Sequence, residues 1–246
     1  MSFELKPEKF KDGLRFVEDP VEDLFIKFDL TEEKPQHIKA YMNDGGILVL
    51  WKDDTAVMKV KKETDAIELL KSIPKDSKCT FLVDNEFSSL VKRRFDRREE
   101  KYFINYATKE SLKPVKDKKY EIVPLSVDKA PEIAKIWPFA KHRVDFVRDF
   151  INRFPAYTIL ENGNPTAWGS VLLESEKGDL TGMWYTRRKY RNQGRMKHIV
   201  SKMAEDITGE GKFLRADIRV NNYPSLGVAK SLGFLQGKTY SRLEPI

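Results

Sequence analysis

Cysteine is nearly absent from this chain. Cys79 is the single cysteine in 246 residues, which excludes an internal disulfide and any cysteine-rich zinc site. A reducing, intracellular compartment is the expectation. No metal site is expected. No run of about 18 apolar residues exists, so a membrane span is not expected. The opening MSFELKPEKFKDG has no apolar stretch of the kind a secretory signal needs. Its Glu4 and Glu8 suit a mitochondrial transit peptide poorly. The cytoplasm is the first expectation for location and the mitochondrion the second.

What the chain does have is a globular composition: 40% hydrophobic and 34% charged residues, with a net charge of +7. The length allows one large domain or two modest ones, each with a core. The positive charge has three readings. It can track nucleic acid phosphates, serve a phosphorylated cofactor, or be solvated lysines. The positions of the charges decide.

The first half reads as mixed α and β. Gly45-Gly46 opens a β-rich run at 47–51, Asp53-Asp54 reads as a hairpin turn, and 56–60 as the partner strand. Thr64 is placed to cap a helix carrying Ala66, Ile67, Leu69 and Leu70, which Pro74 ends. A strand at 79–83, a helix at 87–95 and a strand at 102–107 follow. Residues 109–119 hold five lysines, one proline and few apolar side chains, and read as a linker. Two domains are expected, 1–115 and 116–246.

The second half is cleaner. A strand at 120–125 precedes helices at 128–136 and 143–154, the latter with Val147, Phe150, Ile151 and Phe154 on one face. Residues 157–160 and 166–174 flank the hairpin signal Asn162-Gly163, and Gly178 turns the chain into a strand ending at Thr186. RRKYRNQGRMKHIV comes next. From Met196 the apolar residues Met196, Ile199, Val200, Met203, Ala204 and Ile207 keep helical spacing, so a helix starts near Gly194, directly after a strand. Its first turn has unpaired backbone N–H groups, which with the helix dipole form an anion site. A side chain at 194 would hinder a phosphate from approaching the backbone. Arg187, Arg188, Lys189, Arg191, Arg195 and Lys197 surround the turn, a density that suits a pyrophosphate plus a third phosphate. The same residues also fit an ordinary strand–turn–helix connection with a basic solvent face, and the turn lacks the G-K-[ST] ending of a Walker A loop.

The stretch Arg191-Asn192-Gln193-Gly194-Arg195-Met196 resembles the R-x-x-G-x-[GA] acetyl-CoA signature of the GNAT superfamily, with Met196 in place of the usual small residue. FPAYTILENGNPTAWGS resembles the glycine N-acyltransferase-like branch, and Leu232-Gly233-Phe234 resembles the LGF that follows the last helix in many GNAT proteins. The resemblance covers about residues 120–240. It implies an α/β (α+β) chain: a GNAT fold with a mixed central sheet, preceded by a smaller, degenerate GNAT-like half. It implies acetyl-CoA or another acyl-CoA as cofactor, with the pyrophosphate on the amides of Arg191, Asn192, Gln193, Gly194, Arg195 and Met196. It places the pantetheine along Trp184, Tyr185 and Thr186, whose N–H groups can polarise the thioester carbonyl. Asn222 and Ser225 align with residues near the cofactor arm, although Asn222 also suits a helix cap. Pro224 suits the first turn of that helix.

Acyl transfer to an amine needs a base for the amine, a polarised carbonyl and a proton for the leaving thiolate. The family's acid, a tyrosine of the last helix, is replaced by Ala229. Asp179 is the nearest carboxylate to the expected base position, one residue out of register. Glu174 precedes it, and both also read as turn or strand charges. His142 precedes a helix beside the expected acceptor site, and His198 is expected to face solvent. Trp168 and Trp184 read either as acceptor-pocket walls or as core. The function implied is N-acyl transfer to a small amine or amino acid. A protein N-acetyltransferase and a non-catalytic acyl-CoA-binding module are the alternatives. A nucleic acid partner is not expected, because the densest basic cluster sits on the cofactor-like turn rather than across a face with exposed aromatics.

Overall fold

A computed structural model describes residues 2–31 and 35–246. The chain packs as two units, Met1–Ile104 with Gly237–Ile246, and Asn105–Gln236.

The first unit contains β1 (Phe3–Leu5), α1 (Phe10–Gly13), α2 (Leu24–Thr31), β2 (Ile38–Asn43), β3 (Gly46–Trp51), β4 (Thr55–Val60), α3 (Glu63–Leu70), β5 (Thr80–Asp84), α4 (Ser88–Arg94) and most of β6 (Arg97–Ala107). Strands β1 to β4 pair antiparallel in sequence order, and β4 pairs parallel with β5. The run GILVLW makes β3 because it is β-prone and buried on both faces. Leu48 and Leu50 enter one core with Leu69, Leu70 and Phe81, while Ile47 and Val49 enter the other with Phe10, Phe16 and Ile26. That alternation is the strand period of two.

The second unit repeats the order. It contains β7 (Val123–Pro124), α5 (Ala130–Ile136), α6 (Val144–Arg153), β8 (Ala156–Glu161), β9 (Asn164–Leu173), β10 (Gly178–Thr186), α7 (Arg195–Gly209), β11 (Phe213–Arg219) and α8 (Tyr223–Ser231). Strands β7 to β10 pair antiparallel and β10 pairs parallel with β11. Helix α7 buries Ile199, Val200, Met203, Ala204 and Ile207 against Ala167 and Val171 of β9 and Leu214, Ala216 and Ile218 of β11. On the opposite sheet face, Ile133, Ala134, Trp137 and Val147 of α5, α6 and their connection pack with Ala156 and Trp168. The last strand, β12 (Leu235–Pro245), belongs from Gly237 onward to the first unit and pairs antiparallel with β5 at Tyr240↔Asp84.

The mixed α/β class is the one the sequence implies. Several local expectations need correction. Helix α3 starts at Glu63 with Lys62 at its N-cap, so Thr64 lies inside the helix and caps nothing. The strand expected at 120–125 shortens to Val123–Pro124. The lysine-rich stretch at 109–119 is part of the second unit and is tied into it: Lys113 N–H donates to the Leu232 carbonyl and Val115 N–H to Ser201 Oγ, at 2.8 Å each. Charge at those positions reflects one exposed side of a bound segment.

Two substitutions check this packing by urea unfolding. Leu214 is fully buried, so Leu214→Ala is expected to lower stability by about 2–5 kcal/mol. Thr64→Ala is expected to stay within about 0.5 kcal/mol of the parent, because a surface residue that caps nothing contributes little; a larger loss would return Thr64 to the N-cap.

Candidate functional site

The parallel ladder between β10 and β11 runs from Gly178↔Phe213 to Thr181↔Ala216. Beyond it, β10 stays paired with β9, reaching Tyr185↔Trp168 and Thr186↔Ala167. Between Gly182 and Tyr185 the β10 side carries one residue more than β9, a β-bulge, with Met183 at φ 57°. The extra residue bends β10, and a cleft of about 460 Å³ opens between its last three residues and the starts of α7 and α8.

The lining residues are Trp184, Tyr185, Thr186, Tyr190, Arg191, Asn192, Gly194, Arg195, Met196, Lys197, Asn222, Pro224, Ser225 and Val228. The structure thus brings together at one cleft every residue assigned above to cofactor binding except Gln193. Gln193 turns its side chain to the Lys189 carbonyl and to Arg195 Nε, at 3.3 Å each.

The turn into α7 is built by two left-handed residues, Asn192 at φ 59° and Gly194 at φ 82°. Gly194 is the N-cap, no side chain caps the helix, and no acidic residue occupies its first turn. The first intrahelical bond to reach back is His198 N–H to the Gly194 carbonyl. The amides of Arg195, Met196 and Lys197 therefore lie ahead of that first bond, where a helix attracts anions. A Cβ at 194 would have only His198 ring atoms within 4 Å, at 3.8 Å. Glycine is needed here for its backbone conformation, which costs other residues about 1–2 kcal/mol.

The basic cluster divides once partners are assigned. Arg195 is buried, donating from Nη1 to Thr166 Oγ1 at 2.9 Å and from Nη2 to Glu161 at 3.1 Å, with its guanidinium over the Tyr120 and Tyr190 rings. Arg187 is held by Glu132 at 2.9 Å and by the Pro165 carbonyl. These two cations brace the turn. Arg191, whose Nε donates to the Thr186 carbonyl, and Lys197 line the cleft.

Helix α8 closes the other wall. Asn222 is its N-cap and accepts from Ser225 N–H at 3.4 Å. The capping role and the place at the cleft coexist. Pro224 stands in the first turn, where its missing N–H costs nothing. Trp184 is half-buried and its Nε1 donates to Thr181 Oγ1. Trp168 is core, packed edge-on to Trp137 and tilted against Tyr185.

Asp179 is set apart from this site. It lies at the opposite end of β10, five residues or about 16 Å before Trp184. Its carboxylate accepts from Ser175 N–H at 3.1 Å and faces Lys212 at 3.5 Å, so it ties the β9–β10 turn. Glu174, exposed, shares that end. No Asp, Glu or His is among the lining residues. His198, expected at the surface, is buried. Tyr120, which contacts the turn at Gln193, and Asp117, which contacts His198, do so from far away in sequence and carry no local signal of it.

Residues 161–243 match the family model described as FR47-like protein. None of the curated proteins matches. Among solved structures, a GCN5-related N-acetyltransferase-like protein from Streptococcus suis is 17% identical, with a TM-score of 0.64 over 98% of this chain and 99% of that one. An acetyltransferase of the GNAT family from Colwellia psychrerythraea is 12% identical, with a TM-score of 0.62 over 100% of both chains. A tandem GNAT protein from the clavulanic acid biosynthesis pathway is 12% identical, with a TM-score of 0.57 over 98% of this chain and 97% of that one. The fold is the GNAT fold.

Burial pushes the Asp179 carboxyl above the usual carboxylate range, against the pull of Ser175 N–H and Lys212. A raised acid favours the protonated fold, so its contribution to stability is full below the ordinary Asp range and declines as pH rises through the raised value. Asp179→Asn is expected to flatten that decline in thermal melts taken from about pH 3 to 7. Parallel curves for the two proteins would contradict this.

Proposed function

We propose that this chain is an acyl-CoA-dependent acyltransferase that moves an acetyl or other acyl group onto the amine of a small molecule or amino acid. The observation that carries the reading is the coincidence of two features on one cleft. One is a glycine-led helix N-terminus with uncapped amides. The other is a strand end that has left its parallel neighbour.

Each feature suits one part of the cofactor. The amides of 195–197, with Arg191 and Lys197, would hold the phosphates. The β11-facing edge of Trp184–Thr186 would pair with the amides of the pantetheine arm, as an added strand does. The thioester carbonyl would then lie near the bulge at Met183, where a backbone N–H can take up the developing oxyanion charge. The acceptor amine would attack that carbonyl carbon as the C–S bond breaks. Its proton would pass to solvent, and water would protonate the departing thiolate. This assignment follows from the absence of a carboxylate or histidine in the lining and from Ala229, a buried alanine on α8. Positioning and a polarised carbonyl supply most of the acceleration in such a site. No metal is required by the chemistry, and no group of three or more His, Cys, Asp or Glu suited to hold one is present among the described residues. No helix among them is long and apolar enough to cross a membrane.

The glycine N-acyltransferase-like acceptor range rests on the sequence resemblance at 154–170. A peptide acceptor is the second reading: Tyr223, at 75% exposure, stands in sequence between the lining residues Asn222 and Pro224 and offers an aromatic surface to a longer substrate.

Calorimetric titration of coenzyme A tests the cofactor half. Gly194→Val puts a β-branched side chain at φ 82° and is expected to weaken binding at least about tenfold, or roughly 1.4 kcal/mol. Dephospho-coenzyme A is expected to bind less tightly than coenzyme A, and added salt to weaken both. Equal affinity in Gly194→Val would remove the phosphates from this turn.

A further inference from the structure

The first unit has a cavity of its own, which shares no residue with the cleft. It encloses about 320 Å³ between α3, the segment that follows it and α4. Every residue that lines it belongs to the first unit. Each helix brings an aliphatic residue and a cation to the cavity at helical spacing. On α3, Ile67 lies four residues before Lys71, the helix's C-cap. On α4, Leu90 lies three and four residues before Arg93 and Arg94. Those spacings place the two chemistries on one side of each helix. Leu70 and Leu90 are buried and Ile67 is 43% exposed, so the floor is aliphatic and reaches solvent at Ile67.

The charge around this floor is of one sign. Lys75, in the segment after α3, joins Lys71, Arg93 and Arg94 in the lining, and no Asp or Glu is among the described lining residues. Two of the cations are already engaged. Arg93 pairs with Glu63 at 2.9 Å, and Arg94 donates from Nη2 to the Ile73 carbonyl at 2.9 Å. Lys71 and Lys75 are exposed and form no ion pair among the described residues. Two ammonium groups thus stand beside an aliphatic floor with no carboxylate to answer them.

We propose that this cavity binds a small anionic amphiphile, a single alkyl chain with a carboxylate or phosphate head. The chain lies on Ile67, Leu70 and Leu90, and the head is held by Lys71 and Lys75. Charge complementarity sets the sign of the head, because every ionisable side chain in the lining is a cation. The aliphatic floor sets the need for a chain, since an inorganic anion would leave that floor uncovered. Size favours a small molecule over a protein. The volume falls in the range of roughly 300–1,000 Å³ usual for small-molecule sites, whereas a stable protein interface needs about 1,000 Å² of buried surface. Ile67 is the one exposed large hydrophobic residue in the lining. The proposal goes beyond the acyl-CoA reading and does not depend on it, because the two sites have no residue in common.

The test is an NMR titration of the full chain that follows the methyl groups of Ile67, Leu70 and Leu90. Four probes are added, each below its aggregation concentration. Decanoate and decyl phosphate distinguish the two heads, decanol removes the charge and inorganic phosphate removes the chain. Saturable shifts of these methyls are expected with decanoate or decyl phosphate, with a Kd of about 1 mM or tighter. Decanol and inorganic phosphate are expected to bind at least about tenfold more weakly. The double substitution Lys71→Glu, Lys75→Glu lies on exposed side chains, so the chain is expected to fold and the Kd to rise at least about tenfold. Ile67→Ser is expected to raise it about threefold or more by removing apolar contact. The absence of saturable shifts at these methyls with either amphiphile would overturn the proposal. So would equal affinity for decanol, equal affinity for inorganic phosphate, or an unchanged Kd in the double variant. If the double variant fails to fold, Ile67→Ser and the decanol comparison decide, and an unchanged Kd in Ile67→Ser then counts against the site.

Discussion

An extra residue in a strand disrupts its ladders locally and bends it. β10 pairs with both β9 and β11 up to Thr181, and after the bulge at Met183 only its ladder with β9 is maintained. Everything proposed for the second unit depends on that divergence. It exposes one edge of Trp184–Thr186, and it makes room for the first turns of α7 and α8 to face each other across the opening. The cost of a bulge and a left-handed methionine is carried by the layers on either side. The α7 face is a continuous apolar core, and the α5–α6 face is closed by Trp137 and Trp168.

The first unit shows what the same order of elements looks like without these devices. Its strand–helix connection, from Val60 to Glu63, is two residues long, and the first turn of α3 carries Glu63 and Asp65. Carboxylates there complement the helix dipole by themselves. In α7 the corresponding turn is lengthened, led by Gly194 and free of acidic residues. An anion-binding role is thus open to one unit and already satisfied by side chains in the other.

The cleft was legible in sequence because its parts are local. A glycine at a strand–helix junction, a helical apolar period after it and a proline in the next helix each declare themselves within a few residues, and they meet because β10 and β11 are neighbours. What was not legible depends on long-range contact. β12 has little apolar alternation, and its partner β5 lies 156 to 162 residues earlier, from Tyr240 opposite Asp84 to Leu243 opposite Phe81. Asp117, Tyr120 and His198 looked like scattered polar residues because the contact joining them spans 73 to 81 positions. Asp179 looked like a base candidate by nearness in the chain, yet a strand carries residues about 3.3 Å apart in a line, so nearness in sequence put it at the wrong end. The side chains of Arg187 and Arg195 counted toward a phosphate site by charge alone. Their pairing with Glu132 and Glu161 assigns them to bracing it.

The central claim is that the cleft holds an acyl-CoA whose acyl group reaches an amine. Its most direct measurement is thiol release from acetyl-CoA and longer acyl-CoAs in the presence of amino acids, polyamines and peptides, with the acylated amine identified by mass. The account predicts acceptor-dependent thiol release with formation of a new amide on at least one acceptor class. Saturable acyl-CoA binding with no release above the acceptor-free rate across the whole panel would contradict it and leave a binding module in its place.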